Sequence, residues 1–464
     1  MFQVIAIIAS LLLLIFFAYR GYSVILFAPV FALAAAAVSG LSVMPAYSEL
    51  FLLRMAAYVK SYFPLFMLGA VFGKVMEETG AAKAIAHWIL QKLGPSRAII
   101  SVVLAVAFLT YGGVSLFVVA FAVYPFATAL FKEGGIPKRL IPASIALGAF
   151  TFTMSAAPGT AQIQNLIPTK YFGTTAYAAP VTGTVASIFM LIFGLLWLEY
   201  RRKQAQARNE GYGNHTRNEP DASAATGKLP SVGLSVLPLL VVLAVNFVLT
   251  RAIPHWNPKM MEPYAKLPLY AGSLSNVAAN WALIIALVCG ISLAILLNLN
   301  TIKGKLAQTL NQGTTGSLLA VMNTASEVGY GNVVSSLGGF GIITHALLSI
   351  KGTPLVSEAV TVNLLAGITG SASGGMSIAL DTMGKQYLQW ATAANVSPEM
   401  LHRVAAIASA GFDVLPHNGA VITLLTITGM THKESYFDIF MACLVNGILA
   451  VILAILFYSI TGIA

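Results

Sequence analysis

The chain has 464 residues, of which 58% are hydrophobic and only 9% charged, with a mean hydropathy of +0.82. Soluble domains carry about 25% charge, so this chain has too few charged residues to cover a water-exposed globule, and lipid must be its solvent. That excludes a soluble enzyme, a nucleic-acid-binding module and a disordered chain. The net charge of +10 sits in short loops between apolar runs, where it reports topology rather than affinity for nucleic acid.

In chain order, the first apolar run (2–17) lacks a basic start and a convincing cleavage site. A second run follows at once from Tyr22, so the first reads as a retained span rather than a signal peptide. A bilayer core about 30 Å thick needs roughly 20 apolar residues per helix. On that basis full spans are predicted near 2–19, 22–41, 56–79, 138–166, 178–200, 231–252, 276–299, 314–335, 398–430 and 436–463. Cys289 and Cys443 both lie inside apolar runs and indicate no disulfide framework.

Two further apolar stretches, 97–132 and 354–392, are interrupted by small residues. One contains Tyr111-Gly112-Gly113-Val114-Ser115, the other Thr369-Gly370-Ser371-Ala372-Ser373-Gly374-Gly375. Non-helical backbone at membrane depth survives only where protein or a watery cavity satisfies it. Both stretches are therefore predicted to be re-entrant hairpins; the competing description is a pair of full helices with a glycine kink.

With the amino terminus outside, the loops at Arg20, 83–97, 132–139, 201–229, 303–305 and Lys433 face inward. They hold 16 of the 26 Lys and Arg, in line with the positive-inside rule. The polar segment 201–230 reads as a cytoplasmic linker between two halves, residues 1–200 and 231–464. Each half carries spans, a Gly-interrupted hairpin, a broken span and a closing span. The first broken span, 138–166, is interrupted at Ser155-Ala156-Ala157-Pro158-Gly159-Thr160; the second, 398–430, at Asp413-Val414-Leu415-Pro416-His417-Asn418-Gly419. A mid-helix proline costs about 3 kcal/mol or more, so two such breaks in corresponding places are hard to assign to chance.

With five complete spans per half, the second copy must be inverted. The predicted fold class is thus an all-α polytopic membrane protein with two inverted repeats, about 10 full spans and 2 hairpins. Inverted repeats with matched broken segments point to a secondary transporter. Half-helix amino termini present unpaired N–H groups and positive dipole ends, which suit an anion. The residues alone read as a carrier for a small anion.

The hairpin LTYGGVSLFVVAFAVYPFA, the break TMSAAPGTA and the later PHNGAVITLLTITGMTHKESY together resemble the gluconate permease family (GntP-type), a branch of the ion transporter superfamily. The resemblance implies a proton-coupled symporter for sugar acids or other small hydroxy-carboxylates in a cell membrane of bacterial inner-membrane type. It also implies a homodimeric scaffold, a hairpin-bearing transport domain that moves as an elevator, and no cofactor. Gluconate-type members carry an acidic, aromatic first hairpin tip and a His/Pro-rich first break; here both are smaller and less polar. A polyhydroxylated substrate needs many side-chain partners, because unpaired buried polar groups are costly. The expectation is therefore 3-hydroxybutyrate or a similar short monocarboxylate, with gluconate second.

For substrate binding the candidates are Gly112, Gly113 and Ser115 on the first tip, with Ser371, Ser373 and Gly374 on the second. Ser155, Gly159 and Thr160 at the first break join Asn418 and Gly419 at the second. Small residues also serve simple helix packing in membranes, and Thr160 and Asn418 are equally suited to capping exposed backbone. For the coupling proton the candidates are Asp413 and His417, with Glu327 behind them, because an ionisable group within a span costs roughly 2.5–3.5 kcal/mol on insertion scales. Asp381 is a weaker candidate, and Lys74 with Glu77 reads as a local ion pair. His345, His402 and His432 are read as interfacial.

An intramembrane hydrolase is not indicated: Gly370-Ser371-Ala372-Ser373-Gly374 misses the G-x-S-x-G spacing, and no H-E-x-x-H zinc motif is present. The rival reading is an ion channel or cation/proton antiporter, which calls for a denser set of in-membrane carboxylates.

Overall fold

A computed structural model describes residues 2–20, 22–93, 97–114, 116–219, 229–267, 273–348, 353–416 and 418–464. Every regular element among them is a helix. Six helices are long and apolar enough to cross a membrane: Val43–Glu78, Lys138–Ala156, Pro180–Ala207, Val232–His255, Asn276–Leu297 and His432–Thr461. Shorter apolar helices include Phe2–Leu14, Val24–Val38, Ala98–Tyr111, Pro354–Gly367 and Gly419–Thr428. The long Leu306–Ser335 helix begins about two turns earlier than its hydropathy announces, because Gln308, Thr309, Asn311 and Gln312 dilute its first turns.

Both small-residue interruptions are turns between paired helices. Ala98–Tyr111 packs against Leu116–Glu133, and Pro354–Thr369 against Ala372–Ala393. At 1.5 Å per residue, the 14 residues of Ala98–Tyr111 reach only about 21 Å. The turns are built by backbone that non-glycine residues rarely adopt: Gly113 has φ +95° and Gly370 φ +65°. Both broken segments are likewise in pieces. Ile141–Ala149 passes into a π-helical turn, Phe152–Ala156, and only then into irregular backbone over 157–162, and Pro398–Ser409 ends before a break that resumes as Gly419–Thr428.

Two helices lie where the sequence reads as loop or span end. Ala81–Leu93 precedes the first hairpin and Gly338–Leu348 precedes the second. Lys83, His87 and Lys92 mask the first of these, yet Ala81, Ala82, Ile85 and Ala86 on it are buried. They give the halves the same order of parts: two spans, a long helix, a short helix, a hairpin, a broken helix and a closing span.

Contacts between the halves recur in exchanged form. Phe2–Tyr19 packs on Gly338–Leu348, and Val232–Ala252 packs on Ala81–Leu93. Val24–Val38 packs on Leu306–Ser335, and Leu274–Leu297 on Leu53–Glu78. The long helices Leu53–Glu78 and Leu306–Ser335 pack on each other, as do the closing spans Pro180–Ala207 and Asn446–Thr461. The hairpins and broken helices share one continuous buried core, and many large apolar side chains remain exposed on the outer spans, among them Ile188, Ile192, Leu196, Leu456 and Ile460. For such a chain, lipid is the medium that covers them.

The linker does not hang free over its described part. Glu219 accepts from Lys132 and Lys138, each at 2.7 Å, and Lys138 is fully buried. Arg139 and Arg201 both bind the buried Asp438, at 2.9 and 2.8 Å, and Arg139 also holds Glu210. Asn218 donates to the Thr426 carbonyl, while Tyr124 donates to the carbonyls of Asn218 and Thr428. Residues 208–219 thus strap the first hairpin to the end of the second broken helix.

Candidate functional site

The hairpin tips and the breaks meet. In the first half, Gln162 Nε2 donates to the Thr110 carbonyl at 2.7 Å, and the Tyr111 hydroxyl donates to the Pro158 carbonyl at 2.8 Å. In the second, Asn418 Nδ2 donates to the Gly370 carbonyl at 2.7 Å. Each tip is thereby tied by a side-chain amide of the adjoining break through a carbonyl left free where the helix ends. Met154 of the first break, Ala372 of the second tip and Ala410 beside the second break form one small buried cluster, which brings three of these four segments together.

At the second tip, Ser371 is the N-cap of Ala372–Ala393, its hydroxyl accepting from the Gly374 N–H. Ser373 is buried on the same turn. Glu327, projecting from Leu306–Ser335, reaches the same place. Its carboxylate lies within reach of Ser371, and a methyl group added at Gly374 would collide with its Oε2. Glu327 is 4% exposed, and Oε2 has no hydrogen-bond partner among the described residues. Asn418 caps Gly419–Thr428, its Oδ1 accepting from the N–H groups of Ala420 and Val421, so both ends of its amide are engaged. Gly419 opens that helix, with no atom near the position a methyl group would take.

At the first tip, Gly112 faces Leu239 and Gly113 faces Ala161 and Leu287. Ser155 and Thr160 are fully buried and turned onto their own break: Ser155 Oγ donates to the Thr151 carbonyl and Thr160 Oγ1 to the Thr153 carbonyl. Gly159, at φ +78°, lies against the Tyr177 ring and donates its N–H to the Ala176 carbonyl. Ser115 and His417 lie outside the described residues.

Asp413 sits on the short turn Phe412–Val414 inside the second break. It is 5% exposed and its Oδ1 lacks a partner among the described residues. Asp381 has another role: Tyr171 donates to it at 2.5 Å, and Arg54 and Lys170 lie 4.0 Å away. Lys74 pairs with Glu77 as its spacing predicts, and with Glu78 as well.

Four groups were not legible as site residues. Arg403, near the start of the predicted span 398–430, and His402, which reads as interfacial, are both fully buried on Pro398–Ser409. Arg403 donates to the carbonyls of Ser155 and Ala178 and to Asn165 Oδ1, so a side chain of the second broken helix ends under the first break. His402 Nδ1 lies 2.7 Å from Thr174 Oγ1, and its Nε2 lies 3.3 Å from Asn165 Oδ1. Asn165 Nδ2 in turn donates to the Ala176 and Thr160 carbonyls. Glu358, on the entering arm of the second hairpin, is fully buried with both oxygens unpartnered among the described residues. The signal in sequence was a polar residue within a half-helix otherwise made of small apolar residues; the adjacent Pro398 and Glu399 made that stretch read as a membrane interface.

This arrangement can hold a small solute between capped helix starts, turn carbonyls and a few buried ionisable groups. Comparison with known proteins agrees. The sequence profile described as GntP family permease matches residues 1–460. The uncharacterized transporter YxjC of Bacillus subtilis (strain 168) is 49% identical over 471 residues, covering 99% of each chain. An uncharacterized transporter of Haemophilus influenzae is 24% identical over 359 residues, covering 76% of this chain and 74% of its own. The YdaH transporter of Alcanivorax borkumensis superposes with a TM-score of 0.56 at 13% identity, covering 100% of this chain and 99% of its own. Neisseria gonorrhoeae MtrF, described among antimetabolite efflux pumps, superposes with a TM-score of 0.54 at 12% identity, covering 90% and 84%. At those identities the two structures share the fold and no more. Sequence profile, close relative and fold together make this chain a member of the GntP permease family, a multi-pass bacterial membrane transporter.

Proposed function

We propose that the protein is a proton-coupled symporter that brings a small hydroxy-monocarboxylate into the cell, with 3-hydroxybutyrate or a near analogue ahead of gluconate. The observation that carries this reading is the meeting of tips and breaks: Asn418 on Gly370, Gln162 on Thr110, and Glu327 against Ser371 and Gly374. The helices starting at Ala372 and Gly419 aim their amino-terminal dipoles into this region, which favours a carboxylate. Tips with small side chains and engaged hydroxyls offer few partners to a polyhydroxylated chain, which supports a short acid.

In this reading the halves, 1–200 and 231–464, are inverted repeats joined by the linker 201–230. The exchanged contacts support that relation. The hairpins, broken helices and closing spans form the moving domain of an elevator. The other spans form the scaffold of a homodimer. Substrate contacts come from Gly112, Gly113, Ser115, Ser155, Gly159, Thr160, Ser371, Ser373, Gly374, Asn418 and Gly419. Glu327 takes the first place for the proton because it meets a tip; Asp413 and His417 follow.

The test is uptake of labelled 3-hydroxybutyrate by the purified protein in liposomes under an inward proton gradient, with gluconate, lactate and citrate as competitors. Gradient-driven uptake blocked by short hydroxy-acids is the expected result. Gluconate uptake without competition by 3-hydroxybutyrate reverses the substrate order. A second reading, cation/proton antiport, is favoured by the buried, incompletely partnered carboxylates of Glu327, Glu358 and Asp413. Ion flux without dependence on any acid would establish it instead.

A further inference from the structure

We infer that Arg403 is the charge-selecting residue of the substrate site: its positive charge, buried under the first break and bound only to neutral oxygens, makes the site prefer a carboxylate over a neutral solute of the same shape. This deepens the symporter reading and rests on it for the location of the site.

Arg403 is fully buried. A guanidinium has five N–H donors; four bonds are formed, to Ala178 O from Nε (3.2 Å) and Nη2 (2.6 Å), and to Ser155 O and Asn165 Oδ1 from Nη1 (3.0 Å each). All the acceptors are amide oxygens. No carboxylate lies within ion-pair distance among the described residues; the nearest acid in influence is Glu399, one turn earlier on the same helix. Glu399 is exposed and accepts instead from the Ala179 N–H at 2.9 Å. The other titratable groups around Arg403 are Tyr111, whose hydroxyl is engaged by Pro158, and His402, which sits on Thr174 and Asn165.

The hydrogen bonds use four of the five donors and leave the charge uncompensated. Withdrawing an ion from water costs several kcal/mol unless an opposite charge returns it. The place where such a charge can sit is set by the surroundings. Ala156, Pro158 and Arg403 Nε crowd together on Gly183, so the guanidinium lies directly beneath the loop that carries Ser155, Gly159 and Thr160. That loop holds the first hairpin tip through Tyr111. An anion among the tips and breaks supplies the missing negative charge, and a neutral analogue does not. Arg403 therefore acts through the break as a positioning and charge-selecting group.

The test compares binding of 3-hydroxybutyrate and of its neutral amide to the detergent-purified full chain by calorimetry. Wild type should prefer the acid. Arg403→Gln should abolish that preference, with acid affinity falling about tenfold or more, while Arg403→Lys should keep much of it. Should Arg403→Gln fail to fold, Asn165→Asp decides: it sets a carboxylate beside the guanidinium and pairs it internally, and, since it also removes the N–H donors to the Thr160 and Ala176 carbonyls, the readout is the ratio of acid to amide affinity, which should fall about tenfold. Unchanged acid preference in folded Arg403→Gln or in Asn165→Asp overturns the inference and leaves the symporter reading intact. Charge-selective binding without proton-driven uptake leaves the inference intact and overturns the symporter reading. Wild type that binds no short hydroxy-acid overturns both.

Discussion

Glu327 and Gly374, forty-seven residues apart, touch across the junction between a long helix and the second hairpin, and the carboxylate fits only because position 374 has no side chain. Oε2 stays unpartnered among the described residues, so the carboxyl group is placed where protonation and tip geometry affect each other. Glu327→Gln keeps the shape and removes titration. Uptake should lose its response to an imposed proton gradient, while exchange of labelled for unlabelled substrate persists. Full gradient-driven accumulation by this variant would remove Glu327 from the coupling role. Gly374→Ala should reduce uptake about tenfold through the clash.

Asn418 does two jobs that substitution separates. Asn418→Ala loses the cap on Gly419–Thr428, worth about 1 kcal/mol, together with the bond to Gly370, and should lower the thermal midpoint measurably. Asn418→Asp keeps the capping oxygen but has no N–H to give the Gly370 carbonyl. Its midpoint should lie nearer wild type while its uptake falls as in the alanine variant. Equal melting of the two variants would show that capping is not the stabilising term.

Gly159 combines φ +78° with the Tyr177 ring across the position a methyl group would take. Gly159→Ala suffers both the left-handed strain and the collision, for a cost of about 1–3 kcal/mol. Pairing it with Tyr177→Ala should recover the steric part only. A double variant no more stable than Gly159→Ala would locate the whole cost in the backbone.

The linker strap depends on a carboxylate. Burial works to raise the pKa of Glu219, but hydrogen bonds from Lys132, Lys138 and Tyr212 outweigh it and hold the carboxyl below its usual range. A lowered carboxyl pKa contributes stability that is present above the unfolded-state value, roughly 4.3 for Glu, and is lost as pH falls through the folded one. Glu219→Gln should reproduce the acid state at neutral pH, with amide exchange in 208–219 accelerated about tenfold by mass spectrometry. Exchange at the wild-type rate would show that the strap is held by Asn218, Tyr124 and the Arg139 network alone.

Much of the fold was legible because its signals are local. Apolar runs of bilayer length, Gly113 and Gly370 at the turns, and Pro158 and Pro416 at the breaks act on the backbone within a few residues, wherever the chain lies in space. The two short helices were missed for the opposite reason. Ala81–Leu93 buries a face of alanines and Ile85 against the first hairpin and against a helix of the other half, a partner that no local pattern names.

Sequence by itself determined that this protein lives in lipid, that it is helical, and that hairpins and breaks recur in the same order, since each follows from chain composition and backbone chemistry at nearby positions. Only the tertiary structure decided which polar groups matter. Asp381 is held by Tyr171, Arg54 and Lys170; Arg403 ends on Asn165 and Ser155; Glu327 finds the gap at Gly374. An ionisable side chain takes its character from neighbours within a few ångströms, and here those neighbours arrive from as far as 327 residues away along the chain, as Arg54 does for Asp381.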